Sequence, residues 1–179
     1  VDIVEFGSQP VSVIGAVGQP GVHQLQGRKT LAEVLSMAGG LKPDAGPKIK
    51  VTREIQYGAI PLPGAKADSS GQFSVAELNS KNFLAANNPA DNILIYPHDV
   101  VTVPQSEVVY VVGAVRKPGG FTLNDRETIS VMQALSLAEG LGQLTAADKS
   151  KIIRSVPGGD RTEIPVDMKK VMAGKATDV

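Results

Sequence analysis

The sequence has no cysteine, and this absence excludes several kinds of chemistry at once. Without a thiol, the chain cannot form a disulfide, use a thiolate nucleophile or hold zinc or an iron–sulfur cluster through cysteine. Proteins without cysteine occur in oxidising and reducing compartments alike, so the absence does not locate this one.

Tryptophan is also absent, and only 4% of the residues are aromatic. Because lectin-like sites commonly stack a sugar ring on an aromatic face, the composition does not favour a tight glycan pocket. Lysine plus arginine and aspartate plus glutamate number 18 each, which leaves no net charge. This balance argues against a nucleic-acid partner, since proteins that bind the phosphates of nucleic acids usually present a basic surface.

Long apolar runs and catalytic motifs are missing as well. No run approaches the roughly 18 residues that a membrane-spanning helix needs. Glycine-rich nucleotide-binding patterns and the Gly-x-Ser-x-Gly pattern are not found. The two histidines, His23 and His98, lack the spacing of metal ligands and are interpreted as polar surface residues. We therefore expect no enzyme, no metal and no cofactor.

What the sequence does contain is one pattern written twice. Val11–Leu41 and Val109–Leu141 align with nearly half of the compared positions identical, and they differ by two extra residues in one loop. A repeat at this spacing, about a hundred residues, indicates two small domains rather than a solenoid.

Each copy predicts two strands followed by a helix. A β-branched segment, a Pro-Gly turn and a second short strand come first. Thr30-x-x-Glu33 and Ser130-x-x-Gln133 then have the form of a capping box, in which a hydroxyl and an acidic or amide side chain satisfy the first free N–H groups of a helix.

The helices are predicted to pack and to end in the same way. Helical spacing puts Leu35 and Leu135 at the same place on the inward face, and we expect both to be buried. Gly40 and Gly140 are expected to supply the left-handed residue that ends each helix.

The remaining segments also predict regular structure. Lys48–Glu54 alternates like a strand, Ser74–Ala86 carries a weak helical pattern, and Asn92–Pro104 contains two strands around a Pro-His-Asp turn. In the second copy, Lys151–Ser155 corresponds to the strand at 48–54, and Val166–Met172 is predicted to be a short helix.

These features together resemble the SLBB domain, the soluble-ligand-binding β-grasp. The resemblance is carried by the glycine-bearing strand Val13–Val17, the Pro-Gly turn, the Ala-Gly-Gly-Leu helix end and the segment Asn92–Pro104. Two copies in tandem, with Gly-Gly-Asp-Arg-Thr-Glu-Ile-Pro-Val-Asp-Met-Lys-Lys at 158–170, resemble the periplasmic part of bacterial outer-membrane polysaccharide export proteins of the Wza type.

The fold implied by this resemblance is α+β, with two tandem β-grasp-like domains. Each is expected to be a small mixed sheet packed on one main helix. We assign residues 1–105 to the first domain, with 1–10 as a strand shared with an upstream domain. Residues 106–179 form the second domain, which lacks its last strand because Val179 aligns near Ile93.

The implied function is a periplasmic structural and oligomerisation module of a channel that exports capsular or extracellular polysaccharide. The implied partners are the polysaccharide cargo, other copies in a ring and an inner-membrane polysaccharide copolymerase. The lipidated N-terminus, export-signature domain and membrane-spanning helix of that family are expected in the full-length, outer-membrane-associated protein. The alternative is a small-molecule-binding β-grasp module, because such domains also occur in cobalamin-binding proteins and in the flavoprotein subunit of respiratory complex I.

Five residues are candidates for weak ligand contact. Arg28, Lys29 and Arg126 lie in the polar loops before the two helices, and loops on a rigid scaffold often carry function. A solvated turn is the competing interpretation of these loops. Tyr57 and Phe73 lie in an irregular stretch and are the aromatic residues that we expect to be exposed.

Tyr96 and Tyr110 are expected to be less accessible. Tyr96 lies in an apolar run, and Tyr110 belongs to the predicted hairpin of the second copy. Both are therefore interpreted as packing residues rather than as ligand contacts.

Overall fold

The computed structural model describes residues 9–124, 126–143, 149–155 and 158–179. Two units are separated, Val1–Glu107 with Asn124–Glu127, and Val108–Leu123 with Thr128–Val179. Of the strand expected over residues 1–10, residues 1–8 lie outside the described residues. Both units combine strands with short helices, so the fold class is α+β.

The first unit contains one large sheet. Its strands are β1 (Pro10–Gly15), β2 (Gly21–Gln24), β3 (Lys29–Thr30), β4 (Lys48–Glu54), β5 (Lys66–Ala67), β6 (Phe73–Asn79), β7 (Leu94–Ile95) and β8 (Val100–Val103). Six of them form a mixed sheet in the order β2-β1-β8-β4-β6-β5, while β3 pairs with β7. The central strand β8 runs parallel to β1 and antiparallel to β4. The sheet therefore depends on β8 to join its two halves.

The helices of the first unit are α1 (Leu31–Met37) and α2 (Ser80–Leu84), with 3-10 turns at Ile55–Tyr57 and Pro89–Asp91. The capping box that begins α1 is confirmed: the Thr30 N–H donates to Glu33 Oε2 at 2.8 Å, and Thr30 Oγ1 accepts from the Glu33 N–H at 3.4 Å.

The end of α1 differs by one residue from the prediction. The left-handed conformation begins at Gly39 and continues at Gly40. The Gly40 N–H donates to the Leu35 carbonyl at 2.8 Å, and the Gly39 N–H donates to the Ser36 carbonyl at 3.0 Å. This is the Schellman pattern of helix ends, which uses both positions after the cap.

The core of the first unit lies between this sheet and α1. Alternate residues of β1, β4 and β8 face inward, as the period of a half-buried strand requires. Among the fully buried side chains are Val11, Val13, Ile49, Val51 and Val101, which meet Leu31, Val34 and Leu35 of α1.

The predicted helix over Ser74–Ala86 is wrong in its first half. Phe73–Asn79 forms β6, paired along its whole length with β4. Ser74, Ala76 and Leu78 are buried and alternate with more exposed residues, so strand periodicity applies. Only from Ser80 does the chain turn helical, after the Asn79 side chain accepts from the Asn82 N–H and caps α2.

The second unit repeats the local elements without the large sheet. Its elements are β9 (Val108–Val111), β10 (Gly119–Thr122), α3 (Val131–Leu137), β11 (Ser150–Ser155), β12 (Arg161–Val166) and α4 (Met168–Met172). In the described residues, β9 pairs with β10 and β11 with β12, both antiparallel. The expected small mixed sheet is therefore wrong for this unit. The helix predicted over 166–172 starts at Met168, capped by Asp167.

The two units nevertheless align residue by residue at the start of their main helices. The Leu31 N–H donates to the Ile93 carbonyl at 2.9 Å, and the Val131 N–H donates to the Val179 carbonyl at 3.0 Å. Val179 thus takes the place of Ile93, as the alignment predicted. The capping box at Ser130 is also confirmed.

The expected equal burial of the two helix leucines is wrong. Leu35 is buried in the first core, whereas Leu135 is only partly buried and packs on the smaller cluster of Val166, Met168 and Val171. In the described residues, α3 packs on a smaller apolar cluster than α1 does, so Leu135 stays more exposed to water than Leu35.

This difference predicts unequal effects of the same truncation. Leu35→Ala should lower the free energy of unfolding of the first unit by about 2–5 kcal/mol, the range for a buried leucine. Leu135→Ala should lower the free energy of unfolding of the second unit by only about 1–2 kcal/mol, because the side chain is only partly buried. Urea unfolding followed through NMR resonances of each unit measures both, and equal losses would contradict the unequal burial.

Candidate functional site

The candidate site in the first unit is organised by a buried ion pair. Arg53 of β4 and Asp99, just before β8, are 2% and 1% exposed. Arg53 donates from Nε to Asp99 Oδ1 at 2.9 Å and from Nη2 to Asp99 Oδ2 at 2.7 Å. This two-pronged geometry satisfies the planar guanidinium and both carboxylate oxygens away from water.

The same pair fixes the backbone from β7 to β8. Arg53 Nη2 also donates to the Leu94 carbonyl at 2.8 Å, and the Tyr96 N–H donates to Asp99 Oδ2 at 2.9 Å. The Asp99 carbonyl in turn accepts from the Ser12 N–H of β1 at 3.0 Å. The side-chain pair and the Asp99 carbonyl together therefore hold the turn against the strands on both sides of β8.

A cavity of about 250 Å³ lies beside this turn. Its lining residues come from the residue before β1, from the loop after β2, from β7 and from the turn that follows: Gln9, Leu25, Gly27, Arg28, Leu94, Ile95, Tyr96 and Pro97. Most of these residues are apolar, and Gln9, Arg28 and Tyr96 carry polar groups. Its position next to the ion pair gives the cavity a rigid side.

Tyr96 is the aromatic residue of this cavity, and its exposure corrects the sequence-based interpretation. The side chain is 38% exposed although it follows an apolar run. The Arg53 guanidinium carbon lies 4.2 Å from the ring centroid. The cation covers one face, so only the edge and the other face of the ring can meet a ligand.

A second aromatic contact lies on the same turn. The Tyr57 and His98 rings stack with centroids 6.2 Å apart at an interplanar angle of 20°. His98 has a positive φ of 68°, and its N–H donates to the Pro10 carbonyl at 2.6 Å. Tyr57 is exposed as predicted, but its ring already packs on His98.

The loop cations behave differently from one another. Arg28 is exposed and lines the cavity, so its ligand contact stays a prediction. Lys29 pairs instead with Glu33 of α1, with Nζ 3.1 Å from Oε1. The Thr30 N–H and then the Lys29 ammonium hold the pKa of the Glu33 carboxyl below its usual value. Lys29 therefore supports the helix cap.

The other predicted contacts lie away from the cavity. Arg126 is exposed but does not line it, and Phe73 is half-buried at the start of β6. Tyr110, interpreted as a packing residue, is 74% exposed. The place of Tyr110 in the hairpin did not indicate this exposure. Its side chain lies on the outward face of β9, opposite Gly120, which has no side chain to cover the ring.

The cavity's chemistry suits a neutral or acidic polar ligand that is weakly held. A guanidinium, an amide and a phenol can donate to hydroxyl or carboxylate oxygens, and Leu25 and Pro97 offer apolar surface to C–H groups. Among the described residues, no group of three histidine or carboxylate side chains is arranged to hold a metal. Likewise, none of the described helices has the length and apolar character to cross a bilayer.

Comparison with known protein families finds the same domain twice. Residues 10–60 and 108–167 match the SLBB domain, which together is more than half of the chain. The two matches begin at the two repeat hairpins and include both main helices. No curated protein matches the chain.

Removing the Asp99 charge should destabilise the first unit strongly. Asp99→Asn leaves the Arg53 guanidinium buried without its counter-charge, which should cost about 3–5 kcal/mol. Glu163→Gln is the matched control, because it breaks an exposed ion pair. Lys151 Nζ lies 2.7 Å from Glu163 Oε1, and the two side chains are 51% and 56% exposed. That pair should be worth less than about 1 kcal/mol. Urea unfolding resolved by unit tests both, and similar losses would refute the role of burial.

Proposed function

Because this chain belongs to the SLBB domain family, we propose that it is a structural and oligomerisation module of a periplasmic channel for capsular or extracellular polysaccharide. The observation that carries the proposal is the tandem arrangement of two such domains. Within the channel, the chain's task is to position neighbouring copies and to touch the passing polymer without retaining it. No catalytic step is assigned to it.

The cavity beside the Asp99 turn supports weak sugar contact. It offers one partly covered aromatic ring, Tyr96, and one cation, Arg28. Its volume of about 250 Å³ lies below the roughly 300–1,000 Å³ of typical small-molecule sites. A polymer that must move through a conduit is served by shallow contacts of this kind, since tight binding would hold it in place.

The proposed partners follow from the channel role. Copies of the protein would meet side by side through heterologous contacts, because only head-to-tail interfaces close into rings. The polysaccharide is the cargo, and an inner-membrane polysaccharide copolymerase would deliver it. The location is the periplasm, within an outer-membrane-associated protein.

The second candidate is a binding module for one soluble molecule, such as a cobalamin-like compound or a sugar. The specific observation in its favour is that the cavity has a fixed wall, held by the Arg53–Asp99 pair. Preorganised walls favour affinity because less ordering is needed on binding. The two candidates differ in the affinity that they predict.

An NMR titration with neutral maltohexaose and an acidic hyaluronan hexasaccharide tests the proposal. We expect fast-exchange shifts around Tyr96 and Arg28, with millimolar affinity and stronger binding of the acidic sugar. Arg28→Gln should remove the preference for the acidic sugar, whereas Arg116→Gln, an exposed arginine of the second unit, should leave it unchanged. Absence of shifts at the cavity would contradict sugar contact, and submicromolar binding of cobalamin would favour the second candidate.

A further inference from the structure

The cavity of the first unit can hold only a small part of a polymer. Its volume of about 250 Å³ is below that of typical sites for a single small molecule. When one sugar unit lies in this cavity against Tyr96, the neighbouring units of the same glycan must lie on the protein surface beside it. The groups on that surface therefore decide whether the glycan is held at one point or along a path.

Exposed apolar side chains gather beside the cavity. Leu94 and Tyr96 are exposed on its lining, and Ile55 and Tyr57 are exposed on the 3-10 turn that follows β4. Arg53 joins the two segments, because it donates to the Leu94 carbonyl at 2.8 Å and lies 4.2 Å from the Tyr96 ring centroid. Exposed apolar groups that lie together are a mark of binding surfaces.

Tyr57 carries the next aromatic ring beyond the cavity. Tyr96 and Pro97 line the cavity, and His98 follows them in the chain. The Cα atoms of Tyr96 and His98 are at most about 7 Å apart, since only two residue steps separate them. The Tyr57 ring stacks on His98, yet Tyr57 remains 43% exposed. The two tyrosines are therefore neighbouring platforms on one surface.

His98 has an uncommon backbone conformation that a glycine adopts more easily. Its φ of 68° lies in the left-handed region. The His98 N–H donates to the Pro10 carbonyl at 2.6 Å, and the Asp99 N–H closes the turn by donating to the Tyr96 carbonyl at 3.1 Å. A glycine would relieve the strain but would leave Tyr57 without the ring on which it stacks. Strain of this kind clusters at functional sites.

Both tyrosines offer the surface that a sugar unit matches. Each combines an apolar ring face with a hydroxyl that donates and accepts hydrogen bonds. Sugar rings present C–H groups along their faces and hydroxyls at their edges. Arg53 covers one face of Tyr96, and His98 packs on Tyr57, so each ring has its other face to offer. One-sided contacts of this kind are weak.

Building on the proposed sugar contact at the cavity, we propose that the stacked pair of Tyr57 and His98 is a second sugar subsite. The glycan runs from the Arg28 side of the cavity, across Pro97, to the exposed face of Tyr57. Its chemical class is a carbohydrate chain of several units and not a single sugar. Two weak subsites on one chain raise the affinity through their linkage. Each can still release its own unit, so the polymer can step from one subsite to the next.

NMR titrations of the whole chain with hyaluronan disaccharide and hexasaccharide test the second subsite. The hexasaccharide should shift the resonances of Tyr57 and His98 as well as those of Tyr96 and Arg28. It should bind about tenfold or more tightly than the disaccharide because it reaches both subsites. Tyr57→Ala should reduce this ratio to about threefold, which is the effect of offering three disaccharide units to one subsite.

Matched variants separate the ring from its surroundings. Tyr57→Phe keeps the ring and should keep the ratio within about twofold. His98→Gly relieves the backbone strain but removes the support of Tyr57, and it should weaken hexasaccharide binding about threefold. Tyr110→Ala removes a more exposed tyrosine, in the second unit, and should leave both affinities unchanged. Thermal melts check that each variant remains folded.

The outcomes distinguish the second subsite from the cavity. An unchanged ratio in Tyr57→Ala, with the shifts at Tyr96 and Arg28 retained, would overturn the second subsite and leave the cavity contact standing. Equal weakening of both sugars by Tyr57→Ala would also overturn it, because Tyr57 would then act only through the cavity. If the unaltered chain shows no shifts at Tyr96 and Arg28, the proposed sugar contact and the second subsite fall together.

Discussion

The buried pair of Arg53 and Asp99 is the interaction on which the first unit depends. It joins β4 to the turn before β8, fixes the Leu94 carbonyl and the Tyr96 N–H, and closes the central strand into the sheet. Two charges taken out of water are tolerated only when their geometry and remaining hydrogen bonds are satisfied, as they are here. The same pair therefore also holds the backbone of Leu94 and Tyr96, which line the cavity.

Much of the local structure could be predicted from the sequence, because local structure is specified by neighbouring residues. The capping boxes at Thr30 and Ser130 need only residues within one helical turn, and both form as predicted. The pairing of Arg53 with Asp99 joins positions far apart in sequence, and no periodicity indicates it.

The candidate site could be predicted only in part. Arg28 was found because it lies in a polar loop, whereas Tyr96 was missed because the surrounding run is apolar. The Tyr96 ring is exposed because its backbone belongs to the turn that the Asp99 carboxylate holds. That contact depends on the folded structure and not on the neighbouring sequence. Comparison of the two units explains why burial differs where the sequences agree. Leu35 packs on a six-stranded sheet, whereas Leu135 packs beside two-stranded ladders in the described residues and is less buried.

A double-mutant cycle on Arg53 and Asp99 tests this account most directly. Arg53→Met and Asp99→Leu each leave one charge buried and unpaired, whereas the double variant leaves none. We expect the double variant to lose less unfolding free energy than the two single variants lose together. The difference, the coupling energy, should be about 2–3 kcal/mol for the first unit. Losses that add to within about 0.5 kcal/mol would show that the two residues do not act as a pair and would contradict the account.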